Sequence, residues 1–318
     1  MSEGPVNRIY LGDNLPIMRR HIDDESVDLI YLDPPFNSQA TYRLSGSSTG
    51  EGQHLAFEDS WTWDGESETA YRTITGCRST NLAHLATALR QILGPTEGMA
   101  YLVMMIVRLM DIHRILKPTG SLYLHCDPTA SHYLKLILDA IFGPENFQRE
   151  IVWRIGWVSG YKTQAKNWIR NHDIILYYTR SGEFTFNKEY IPYPPGYTRR
   201  DGSRPTGKGI PLEDTWNCHR GDPLHSIMIM SYSAEKTGYP TQKPEALLRR
   251  IVAASSDPGD VVMDPFCGSG TAAVAAEALN RRWIVIDRNE ETAPLIAKRL
   301  TDRFGSDGSP YEIINDLE

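Results

Sequence analysis

Cysteine is scarce in this 318-residue chain: Cys77, Cys126, Cys218 and Cys267 are the four present, far apart and with no C-x-x-C pair. Their spacing argues against a disulfide framework and against a structural zinc site, and suits a reducing, cytoplasmic setting. No metal site is expected. Long apolar runs are missing too, since the longest, around residues 101–110, is broken by Arg108; no membrane span is expected. The opening MSEGPVNRIY has neither the basic start nor the apolar core of a signal peptide. A surplus of positive charge is also absent. The net charge of −7 speaks, taken globally, against a nucleic-acid binder. That deficit is unevenly spread, however. Between Arg154 and Arg220 stand eleven Lys and Arg against six Asp and Glu, which leaves that stretch near +5 and the remainder near −12. An electrostatic footprint is local, so a DNA-facing region remains open.

What is present is an alternation of short apolar runs with helical patterns, the signature of a mostly parallel α/β sheet. Strands are expected at 8–11, 27–32, 121–126, 261–264 and 283–287, and helices at 15–21, 98–116, 129–142, 244–255, 270–279 and 290–303. Within 129–142, Tyr133, Leu134, Ile137, Leu138 and Ile141 recur at three- and four-residue spacing, which buries one helical face. No helical pattern joins the runs 150–153 and 173–179, so they are expected to close the sheet as an antiparallel edge. Two stretches break the alternation: 40–95, rich in Ser, Thr and Gly with the aromatic island FEDSWTWD, and 183–236, rich in Pro, Gly, Arg and Tyr. Insertions of that length are usually functional or mobile.

Two stretches carry chemistry. In VDLIYLDPPFNS (27–38) an apolar strand ends in an acid, two prolines and an aromatic. Proline fixes φ and donates no hydrogen bond, so Pro34 and Pro35 stop the strand and hold a rigid turn that presents Asp33 and Phe36. In DVVMDPFCGSGT (260–271) a strand ends at Asp264 and a glycine-containing turn opens a helix near Gly270. Gly268 and Gly270 let backbone approach a ligand closely. The next strand, WIVID, ends in Asp287, where such units place an acid for ribose hydroxyls. The unit is not a dinucleotide fingerprint, because Ala273 stands where the third glycine should. An acid opening the loop suits a ligand bearing a charged amino group, such as S-adenosylmethionine.

DPPF at 33–36 and DPFCGSGT at 264–271 together resemble the catalytic and cofactor motifs of DNA amino-methyltransferases. With the catalytic motif first and the cofactor motif near the C-terminus, the order is similar to the β class of that family. GDNL at 12–15, LKPTGSLYLH at 116–125, NHDIILYYTR at 171–180 and YPTQKPEALL at 239–248 add matches, and the likeness spans roughly residues 8–304. It implies a Rossmann-like, seven-stranded methyltransferase sheet, mostly parallel with an antiparallel edge strand, plus an inserted DNA-recognition region. The organisation expected is core at 1–39, insertion at 40–95 serving as a DNA flap or dimer contact, core at 96–182, target recognition at 183–236, and core with the cofactor motif at 237–318.

The resemblance also implies roles. Asp33, Pro34, Pro35 and Phe36 would hold and activate the exocyclic amine of a flipped base. Asp264, Phe266, Cys267, Gly268, Gly270 and Thr271 would line the methionine part of S-adenosylmethionine, Asp287 would take the ribose, Asp13 would meet the adenine of the cofactor, and Lys243 would close over it. For Lys243 simple packing at a helix start stands equally open, and His125 and Asp127 are expected to be structural. In 183–236, Arg199, Arg200, Arg204, Lys208 and Arg220, interleaved with Tyr193, Tyr197 and Trp216, are the expected contacts to double-stranded DNA. An Asp-led motif points to adenine N6, with cytosine N4 and a non-catalytic DNA-binding subunit as rivals. A homodimer and a companion restriction endonuclease are both compatible with the class. GSRPTGKG (202–209) only approximates a phosphate loop, since Gly209 replaces the Ser or Thr that would hold magnesium.

Overall fold

The structure is a computed structural model that describes residues 7–36, 40–43, 55–154, 166–217, 233–305 and 308–317. The chain runs β1 (Asn7–Gly12), α1 (Asn14–His21), β2 (Val27–Leu32), β3 (Ala40–Arg43), β4 (Leu55–Asp59), α2 (Gly65–Thr75), α3 (Thr80–Leu93) and α4 (Glu97–Ile115). It continues with β5 (Leu116–Cys126), α5 (Ser131–Phe142), β6 (Phe147–Arg154), β7 (His172–Thr179), β8 (Tyr190–Ile191), β9 (Ile210–Pro211) and β10 (Thr215–Trp216). The last elements are α6 (Glu245–Ser255), β11 (Val261–Asp264), α7 (Thr271–Ala278), β12 (Arg282–Asp287), α8 (Thr292–Phe304) and β13 (Tyr311–Asp316).

One sheet holds nine of these strands in the order β10-β6-β7-β5-β2-β11-β12-β1-β13. Seven form the expected core; the two-residue β10 and the terminal β13 flank it. Every pairing in this sheet is parallel except those of β7, which runs antiparallel to both β5 and β6. An antiparallel strand needs no helical crossover, which is why 173–179 follows 150–153 without one. β7 lies inside the edge rather than on it, because β6 and β10 extend the sheet beyond it.

Helices cover both faces. Ile9, Leu11, Leu29 and Tyr31 point to the layer of α6, α7 and α8, while Tyr10, Ile30 and Leu32 point to the layer built from α1 to α5. Side chains alternate along a strand, so burying both faces makes each strand a continuous apolar run. The 40–95 stretch is more regular than its composition suggests. Asp64 and Ser79 cap α2 and α3 by accepting from the backbone N–H of Ser67 and Leu82. Leu82, Ala86 and Leu89 then bury one face of α3. In the second insertion, β8 and β9 form a short antiparallel hairpin that carries residues 192–209. β10 docks beside β6 and sets Trp216 against Trp153. Trp216 is therefore buried, with the Arg250 guanidinium 5.1 Å from its ring, and does not face DNA as expected from the sequence.

Candidate active site

Parallel strands deliver their carboxyl ends to one edge of a sheet, and ligands of α/β folds bind outside that edge. Here β2 leads into Asp33, β11 into the loop beginning Pro265, β12 ends at Asp287 and β5 at His125 and Cys126. Because β7 runs the other way, its first residues, including Asp173, arrive at the same edge. A cavity of about 780 Å³ opens there, lined by Asp33, Pro34, Pro35 and Phe36 on one side and by the 264–272 loop and Asp287 on another. That volume suits a small-molecule or cofactor site.

Among the described residues, two charged or titratable side chains approach the Asp33 carboxylate. Lys243, from the segment entering α6, donates a hydrogen bond to its Oδ2. His125 Nδ1 lies 3.8 Å from Oδ1. His125 is fully buried and bridged: Nδ1 is 2.9 Å from the Tyr31 hydroxyl and Nε2 is 3.4 Å from Asp173 Oδ2. Burial raises the Tyr31 phenol well above its ordinary pKa, so Tyr31 meets Nδ1 as a neutral hydroxyl. Burial alone would raise the Asp173 carboxyl. The His125 hydrogen bond and the His125, Arg170 and Lys243 charges outweigh it and hold the group at about 2. Ionised Asp173 accepts from Nε2–H, which orients the imidazole ring. Phe36 lies beside His125 with ring centroids 5.7 Å apart.

The glycine loop is built by close packing. Gly268 and Gly270 have φ of +49° and +72°. A Cβ on Gly270 would fall 2.3 Å from Ile296 Cγ1, and one on Gly268 would fall 2.9 Å from the Tyr239 ring. The Gly268 N–H donates to Asp287 Oδ2 at 2.7 Å, and the Asn289 N–H to Oδ1 at 2.9 Å. Asp264 is 4% exposed and accepts from the Phe266 N–H at 3.0 Å. Burial pushes the Asp264 carboxyl well above the usual range and raises that of Asp287. Thr271 turns its hydroxyl to the Lys243 carbonyl at 3.1 Å, tying the loop to the start of α6.

Against known proteins, a family model described as DNA methylase, of the N6/N4 type, matches residues 27–298. The chain belongs to the N6/N4 DNA methylase family. It is 26% identical over 290 residues to the type II methyltransferase M.HpaI of Haemophilus parainfluenzae, covering 90% of this chain and 71% of that protein. It is likewise 26% identical over 308 residues to the DNA adenine methyltransferase YhdJ of Escherichia coli K12, covering 92% and 82%. Among solved structures, a putative DNA modification methylase of Thermus thermophilus complexed with S-adenosyl-L-methionine matches with TM-score 0.54 at 16% identity, covering 98% of this chain and all of that one. The PvuII cytosine-N4-specific DNA methyltransferase matches with TM-score 0.55 at 16% identity, covering 93% and 87%. Both share the fold.

In this methylase the sequence-expected residues do not all converge. Asp33, Pro34, Pro35, Phe36, Asp264, Phe266, Cys267, Gly268, Thr271, Asp287 and Lys243 line the cavity. Gly270 shapes it from behind, against α8. Asp13 is committed elsewhere: its carboxylate caps α1 through the Leu15 N–H at 2.8 Å and pairs with Arg108 at 2.9 Å, while Gly12 and Asn14 line the wall. Lys243 turns its ammonium to Asp33. Arg199, Arg200, Arg204 and Lys208 stand exposed on the β8–β9 hairpin, beside the stacked pair Tyr193 and Tyr197. Arg220 lies outside the described residues. Trp61, from the aromatic island, lines the cavity and meets Tyr101 edge-on, while Trp63 packs on Tyr71 under Arg90. The sequence reading missed the Tyr31–His125–Asp173 chain and the Arg108–Asp13 pair. Polar residues inside apolar runs, His125 in SLYLHC and Arg108 in the α4 pattern, were the signals available.

Proposed function

We propose that this DNA methylase transfers a methyl group from S-adenosylmethionine to the N6 amine of an adenine flipped out of double-stranded DNA. The observation that carries the reading is the placement of Asp33, on its proline-locked turn, at the wall of the same cavity as the glycine loop. An exocyclic amine is a poor nucleophile because its lone pair is delocalised into the ring. Acceptors on both its hydrogens, the Asp33 carboxylate and the Pro34 carbonyl, favour a pyramidal nitrogen whose lone pair is available. Phe36 supplies a face on which the flipped base stacks. Asp33 then takes the proton that the amine sheds.

The residues of the loop suit the cofactor. Asp264 and Asp287 are two carboxyls whose charged forms are disfavoured by burial, and a ligand carrying positive charge relieves that cost. Asp264, Phe266, Gly268 and Thr271 would hold its methionine part and Asp287 its ribose. When bound, the cofactor supplies a methyl group on a sulfonium, ready for direct transfer. Cytosine N4 is the second reading, since the acceptors around Asp33 suit either amine and the fold is shared with a cytosine-N4 enzyme.

The test is nucleoside mass spectrometry of unmethylated duplex DNA incubated with the protein and S-adenosylmethionine. N6-methyladenine is expected; N4-methylcytosine would replace the base, and no methylated nucleoside would refute the activity. Asp33→Ala is expected to lower the single-turnover rate by at least about a hundredfold, with cofactor affinity within a few-fold. Parallel loss of both would remove Asp33 from the chemistry.

A further inference from the structure

Lys243 is the one cationic side chain in hydrogen-bond contact with Asp33 among the described residues, and the reading above leaves its role open. Its side chain is 12% exposed and that of Asp33 14%. Both belong to the cavity wall. An ammonium has three donors. One goes to Asp33 Oδ2 and one is within 3.5 Å of the Thr241 carbonyl. The third has no hydrogen-bond acceptor among the described residues. The Phe36 ring centroid is 5.6 Å from Nζ, so donor, acceptor and stacking surface converge on one volume.

We propose that Lys243 is the second base-reading group of the site, donating its free N–H to the ring nitrogen adjacent to the amine that Asp33 holds. This rests on the reading of Asp33 as the acceptor of that amine. A carboxylate oxygen and an ammonium nitrogen in hydrogen-bond contact present an acceptor and a donor side by side. A side-chain amide offers the same pattern, and it is the pattern that reads an adenine edge. Adenine places an N–H of its amine beside the bare ring nitrogen N1, and cytosine places one beside N3. Thymine offers a carbonyl and a ring N–H on its pairing edge, so it meets Asp33 and Lys243 with each polarity reversed. Guanine flanks its amine on that edge with a ring N–H, which opposes the ammonium. The pair therefore selects amine-bearing bases before any methyl moves.

The position of Lys243 is fixed by the cofactor loop. Its carbonyl accepts from Thr271 Oγ1 at 3.1 Å, and Thr271 opens α7. Pro244 follows at the N-cap of α6, where its fixed φ sets the chain direction. The backbone of Lys243 is thus anchored to the same loop that holds the proposed cofactor.

The experiment is a cycle between one protein atom and one base atom. Single-turnover rate and kcat/KM are measured for the wild-type protein and Lys243→Met, each on a duplex carrying either the natural target base or its analogue with the ring nitrogen replaced by C–H. The analogue is 1-deazaadenine, or 3-deazacytosine should cytosine be the methylated base. The wild type is expected to lose about ten- to a hundredfold in kcat/KM on the analogue, the loss of one hydrogen bond to a charged donor. Lys243→Met is expected to be slow on both duplexes and to discriminate between them less than about threefold. Lys243→Arg, which keeps a donor, should recover part of the discrimination. An equal analogue penalty in wild type and Lys243→Met, or no penalty in the wild type, overturns the proposal. Thermal unfolding of each variant identifies any that has lost its fold. Methylation of the natural duplex by the wild type reports separately on the underlying activity.

Discussion

Asp173 shows how a residue far in sequence from the catalytic motif shapes the site. Its carboxyl is held at about 2, against an ordinary 3.8, because contacts with His125 and Arg170 outweigh its burial. An acid depressed in the folded state stabilises the fold above its unfolded pKa, and that contribution disappears as pH falls through the folded value. The window therefore lies between roughly pH 4 and pH 2, and the full contribution is about 2 kcal/mol. Asp173→Asn is expected to lower stability at neutral pH by that order and to flatten the acid limb of a denaturant-midpoint profile. An acid limb unchanged from wild type would assign the depressed carboxyl elsewhere. Asp264 and Asp287 carry the opposite sign. Their raised carboxyls cost the fold stability as pH rises through their folded values, which is the cost a cationic ligand relieves. None of this was legible locally. The sequence shows His125 at the end of an apolar run, and only strand pairing brings it against Asp173 and Tyr31.

Among the elements, the loop between β11 and α7 bears the tightest constraint. Gly270 combines φ of +72° with a virtual Cβ 2.3 Å from Ile296 of α8. Gly270→Ala is expected to cost about 2–4 kcal/mol, from the left-handed backbone and the overpacking together, and to weaken cofactor binding. Thermal unfolding and cofactor titration measure the two effects, and a variant as stable as wild type would show that α8 can move aside. The glycines and their flanking strand were readable because a strand ending in an acid and a helix opening on G-x-G is a local pattern. α2 and α3 were not read. Their capping residues Asp64 and Ser79 lie in a Ser/Thr/Gly-rich context that resembles loop, and the apolar face of α3 gains meaning only against the layer of α4 and α5. Trp216 was misplaced for a related reason: a two-residue strand has no period, and its burial is decided by docking on β6.

At the scale of the whole molecule, charge is divided. The body of the chain is acidic, while the β8–β9 hairpin exposes Arg199, Arg200, Arg204 and Lys208 with a stacked tyrosine pair at its base. If that hairpin holds the DNA backbone, Arg199→Ala combined with Arg200→Ala should weaken binding and reduce the slope of log K against log salt by about 2. An unchanged slope would move the DNA surface to another part of the molecule. The amino-acid sequence alone determined the α/β class, the core strands, both motifs and their permuted order, because each depends on residues close together in the chain. Only the tertiary structure decided which side chains meet. Asp33 and Lys243 are 210 positions apart, and His125, Asp173 and Tyr31 come from three different strands. Their convergence follows from strand order and direction, which bring distant carboxyl ends, and the start of the one antiparallel strand, to a single edge. No local pattern encodes that edge. It exists only once both faces of the sheet are buried and the strands have taken their places.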